Sequence, residues 1–150
     1  MPTVIDGTLG VDKVKGAVAA VAAGLVGEIQ SAAGGVIGMT SGIATTVASL
    51  TLTAGVWDVE GLIEYAGAGC ALQRISADVG TVAATMATSI ALAYSQTWTS
   101  GSTGTIVLPA RVRRIVLPSG GTVYLNSHMY FSAGTAASTA NSQITARRVA

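Results

Sequence analysis

Three carboxylates crowd one short stretch of the chain: Asp58, Glu60 and Glu64. Their even spacing puts them on one face of an extended strand, with Trp57, Val59, Gly61, Ile63 and Tyr65 on the other. Paired carboxylates are the machinery of glycoside hydrolysis, in which one acid must be kept protonated by its surroundings. No such surroundings are implied here, and Arg111, Arg113 and Arg114 can pair with the acids across strands. The cluster therefore reads as a solvated or intersubunit-paired face. His128, the one histidine, alternates with Tyr124, Asn126 and Tyr130 on the polar side of another strand. Catalysis by histidine needs a nucleophile and an orienting acid, and the sequence places neither, so His128 reads as a surface or interface residue. Cys70 stands alone, which excludes an intrachain disulfide and a cysteine-based zinc site. The serines form no G-x-S-x-G elbow. The glycines at 34, 35, 38 and 42 lack the ending of a phosphate loop and read as a connector or bulge. The expectation is a protein that is not an enzyme and carries no cofactor and no metal.

The elements around these residues are strands. Residues 49–53, 57–65, 72–77, 90–98, 106–108, 112–117, 123–131 and 144–149 show two-residue alternation or short β-rich runs. Asp78 and Gly80 are expected to stop the third of them, Pro109 marks a break, and Pro118-Ser119-Gly120-Gly121 is a turn. About eight strands with regular turn signals predict an all-β fold, an antiparallel β-sandwich or jelly roll, with an N-terminal arm or short helix. The expected core includes Trp57, Val59, Ile63, Leu92, Val123, Leu125 and Phe131.

Composition divides the chain into an Ala/Gly/Val-rich segment, 1–43, and a Thr/Ser/Val-rich β-region, 44–150. In the first, Val11, Val14, Val18, Val21 and Leu25 follow the seam spacing of a packed helix, with Asp12 as its cap. The opposite face is alanine and glycine, so this segment is expected to pack against copies of itself, these five residues making the oligomer contacts. Valine and glycine weaken an isolated helix, and an extended arm across a neighbour is the alternative.

Half of the residues are hydrophobic and only 10% are charged, against roughly 25% in an ordinary soluble domain. Small apolar side chains with so few charges leave uncharged surface that self-association would cover. A net charge of +1 gives no electrostatic case for nucleic acid. The uncharged run between Lys15 and Glu28 is too short to span a membrane, which takes about 20 residues.

The segments LTAGVWDVEG at 52–61, TVYLNSHMYFSAGT at 122–135 and ITARRVA at 144–150 resemble small β-domains of tailed-phage appendage and head-decoration proteins. The resemblance covers about the last two thirds of the chain. It differs before the final strand, where Asn141-Ser142-Gln143 replaces an aromatic-glycine pair, and no long fibre shaft is present. It implies a structural protein on the outer surface of a virion, a homotrimer that contacts other capsid or tail proteins. The alternative is a tail-tip module that touches host glycans through Trp98, Arg113, Tyr124 and His128.

Overall fold

The computed structural model describes residues 22–87, 94–97 and 101–150. Among these residues every regular element is a strand: β1 (Ile29–Ala33), β2 (Ala44–Leu52), β3 (Gly55–Gly80), β4 (Tyr94–Thr97), β5 (Gly101–Leu117), β6 (Gly121–Ser132), β7 (Thr135–Ser138) and β8 (Gln143–Arg148). All their pairings are antiparallel, so the fold is all-β, an antiparallel sandwich of jelly-roll type.

The 26-residue β3 is the spine. One edge of it pairs with β5 and then β4, and the other with β8, β7 and β6 laid end to end. The ribbon then folds back on itself. Its first layer is β1-β8-β3-β5 and its second is β2-β6-β3-β4, with β3 belonging to both. The bend lies at Gly67–Cys70, where the register with β5 shifts and Gly69 takes a φ of 61°. The neighbouring strand kinks alongside, at Ala133 (φ 57°) and Gly134 (φ 64°). Bulges of this kind bend a strand and increase its twist.

Inward side chains fill the space between the layers. Trp57, Val59, Ile63 and Tyr65 from the first half of β3 are buried, as are Ile75, Ala77 and Val79 from the second, with Val123, Leu125, Ile144 and Ala146 between them. The Tyr65 hydroxyl crosses the gap, sharing a hydrogen bond with Ser127 Oγ (2.9 Å) and donating to the Ser76 carbonyl (3.4 Å). Phe131 is half-buried against this core, and Leu92 lies outside the described residues.

Three expectations change. Asp78 does not end a strand: it sits within β3 and is buried at 1% exposure. The strands expected at 57–65 and 72–77 are one, because β3 runs through 66–71 as well. Two register shifts, at Gly67/Cys70 and at Leu72/Arg74, reset which residues face inward, so one strand shows broken alternation. Residues 22–28 form turns, with Leu25 N–H donating to the Ala22 carbonyl and Glu28 N–H to the Leu25 carbonyl. The helical seam is absent at Leu25, which is exposed; Val11, Val14, Val18 and Val21 lie outside the described residues. Within the segment set apart as 1–43, β1 joins the sheet through β8 and Met39 enters the core.

Candidate association face

The outer face of the first layer carries the acids. Asp58, Glu60 and Glu64 point away from the core on β3, opposite Trp57, Val59 and Ile63. On β5, Arg114 stands opposite Asp58 and grips it with two hydrogen bonds, Nε to Oδ1 (2.8 Å) and Nη2 to Oδ2 (2.9 Å). That grip, and the charge of nearby Arg147, hold the Asp58 carboxyl below the usual carboxylate range. Glu64 does a different job: its Oε1 accepts from Thr139 Oγ1 (2.6 Å) and Asn141 Nδ2 (2.8 Å), pinning the β7–β8 loop. Those two bonds lower its pKa. Glu60 is exposed, and the bulge in β5 sets both Arg111 and Val112 opposite it. Asp58 and Glu64 are thus held by different partners, and both carboxyls sit below the usual carboxylate range.

Between these charges the face is apolar. Val107, Val112 and Val116 on β5 are 49%, 60% and 63% exposed, and Leu62 on β3 is 40% exposed. Their strand neighbours Leu108, Ile115 and Leu117 are buried inside. A shallow cleft of ≈ 260 Å³ runs past Glu60, Leu62, Pro109 and Gln143. These exposed valines were not singled out in the sequence. The signal was present in Val112–Leu117: apolar residues occupy both parities of the run, whereas a strand facing water on one side alternates with polar residues.

The candidate glycan residues are partly brought together. Trp98 lies outside the described residues. Arg113 crosses to the end of β3, where its Nη1 donates to the Val79 carbonyl (3.0 Å) beside Gly80, the register partner of Tyr124. His128 lies further along β6 on the outer face of the second layer, its ring tilted against Tyr130 at 4.7 Å between centroids. Its Nε2 is closed off from solvent without a hydrogen-bond partner. Asn126, expected on a polar surface, is instead buried at 0% exposure beneath residues 82–85. Among the described residues no cluster of three metal-ligating side chains occurs, and no helix is long and apolar enough to cross a membrane.

No protein-family model matches the chain, and no curated protein matches it in sequence. Solved structures of infectious bursal disease virus do match in three dimensions. A structure of the Gx strain aligns with a TM-score of 0.45 and 9% identity over 81% of this chain and 32% of that one. The VP2 subviral particle aligns at 0.39 and 12% identity over 82% of this chain and 37% of that one. A T13 viral particle aligns at 0.38 and 12% identity over 82% and 36%. The chain spans about a third of the length of those viral chains.

Proposed function

We propose that this chain is a non-enzymatic structural protein of a tailed-phage virion, a homo-oligomer on the particle's outer surface that decorates the capsid or forms a short appendage. The observation that carries the self-association is β5, apolar on its buried face and carrying Val107, Val112 and Val116 exposed between its arginines on the other. The phage setting, the trimeric state and the surface location rest on the resemblance of the segments with WDV at 57–59 and ARR at 146–148. The glycan-binding alternative is disfavoured by two contacts: the Arg113 guanidinium is engaged by a backbone carbonyl, and the His128 Nε2 is shut away from solvent.

Two measurements test the reading. The mass of the purified full chain in solution should be a multiple of the monomer's. Quantitative mass spectrometry of virions from the source of the sequence should find the chain in many copies, hundreds for capsid decoration and a dozen or fewer for a tail part. A monomer at all concentrations removes the self-association, and absence from the virion removes the proposed role. Deleting residues 1–21, which takes away Val11, Val14, Val18 and Val21, should weaken attachment to the particle while leaving the circular dichroism of the sheet unchanged.

A further inference from the structure

We infer that a second copy of this chain docks on the outer face of β3 and β5, about a two-fold axis that passes between these two strands. The inference rests on the self-association proposed above and names its surface. The charges choose the axis. The outer row of β3 is acidic, with Asp58, Glu60 and Glu64, and the outer row of β5 is basic, with Arg111 and Arg114. An axis through β3 would lay acids on acids, and one through β5 would lay arginines on arginines, both repulsive arrangements. An axis between the strands lays the acidic row of each copy over the basic row of the other, and sets Leu62 of each copy over Pro109 of the other, flanked by Val107 and Val112, with Val116 over Val56.

The alternative route, joining into one continuous sheet the β5 edges that pair with no strand among the described residues, is opposed by the edge itself. Pro109 lacks an N–H to donate, and the bulge at 111–112 breaks the regular ladder. An edge guarded in this way beside a face of exposed valines with complementary charge rows points to face-on packing. The same end of the sheet supplies the cleft along Glu60, Leu62 and Pro109, open to receive side chains from the other copy.

The contact is two-fold, so it joins copies in pairs, and a trimer held by other surfaces would be doubled to a hexamer. The test uses the full chain and native mass measurement. Wild type should contain an even number of copies. The double variant Val112→Lys/Val116→Lys, altered only at exposed positions, should halve that mass with an unchanged circular dichroism spectrum. Glu60→Arg and Arg111→Glu should each raise the dissociation constant at least about tenfold, equivalent to about 1.4 kcal/mol, and the combined charge swap should restore most of the affinity. A wild-type oligomer that none of these variants disturbs overturns this face and leaves self-association standing. A wild-type monomer overturns both. Should the lysine variant unfold, the charge swap decides: two weakened single variants without recovery in the pair count against the inference.

Discussion

The guanidinium of Arg148 lies over the indole of Trp57, its central carbon 5.5 Å from the ring centroid. The two are register partners at the end of the first layer, so the arginine closes the core over its largest side chain. It also ties three segments together. Nη1 donates to Thr53 Oγ1 (3.0 Å) and Nη2 to the Ala54 carbonyl (2.5 Å), while Glu28 Oε2 stands 3.9 Å from Nη1. Its backbone accepts from Gly27 N–H and donates to the Glu28 carbonyl.

Arg148→Ala should therefore cost roughly 2–4 kcal/mol, because it strips a largely buried charge network and uncovers Trp57. Arg148→Lys should recover less than half of this, since an ammonium cannot reach two acceptors while lying flat on an indole. Urea unfolding followed by Trp57 fluorescence measures both. A lysine variant as stable as wild type would mean that only the charge matters.

Gly61 faces the core against the side chain of Leu125. A Cβ there would stand 2.5 Å from Leu125 Cδ1. Gly61→Ala should destabilise by about 1–3 kcal/mol through overpacking, and Leu125→Ala by about 2–5 kcal/mol through the cavity it leaves. The double variant should cost clearly less than the two together, since the new methyl enters the space vacated by the leucine. Strict additivity in denaturant midpoints would show that the layers do not meet at this pair.

The side-facing pattern of 57–65 was legible because the register shift at Val59/Gly61 puts its extra residue on β5 and leaves the alternation of β3 intact: Trp57, Val59, Ile63 and Tyr65 go in, and Asp58 and Glu60 go out. The continuity of β3 was not legible. A register shift is a pairing event between strands distant in sequence, and it appears in one strand only as lost alternation, which looks the same as a loop. Asn126 misled for a related reason. Its polar neighbours Tyr124 and Tyr130 keep some exposure, but residues 82–85 fold over this one position, a tertiary contact without local trace. Val112 and Val116 were visible as a two-faced strand, yet a second buried face inside the monomer gives the same pattern as one buried between copies.

Asn126 uses its whole amide. Nδ2 donates to the carbonyls of Val82 (3.0 Å) and Thr85 (2.9 Å), and Oδ1 accepts from Thr46 Oγ1 (2.8 Å) and Ala84 N–H (3.1 Å). Ala84 is held at a φ of 50°, a conformation that alanine rarely adopts and that these bonds maintain. Asn126→Ala should release the 81–87 segment and cost about 2–3 kcal/mol in unsatisfied groups. Hydrogen exchange should show the Ala84 and Ala87 amides losing most of their protection while those of β3 change little. Unchanged protection at Ala84 would deny the latch.

Asp78 and Glu64 should respond to pH with opposite signs. Burial pushes the Asp78 carboxyl above the usual carboxylate range, only partly opposed by the Ala87 N–H on Oδ2 (2.8 Å) and by Arg113, and its Oδ1 has no hydrogen-bond partner. The folded state therefore binds its proton more readily than the unfolded chain does. Stability from this group is full below the unfolded value of about 3.9 and falls as pH rises through the folded value. Asp78→Asn keeps an oxygen for Ala87 and cannot ionise, so its melting temperature should exceed that of wild type at pH 8, with the gap closing by about pH 4. Glu64 is lowered by its bonds to Thr139 and Asn141, so its contribution is present above the unfolded value of about 4.3 and disappears as pH falls through the folded value. Glu64→Gln should melt below wild type at pH 8, and that deficit should shrink in acid. Thermal melts of the three proteins between pH 3 and pH 8 read both trends at once. A wild type more stable than Asp78→Asn, by a margin that widens toward pH 8, would mean that Arg113 outweighs burial and that the Asp78 charge holds the fold together.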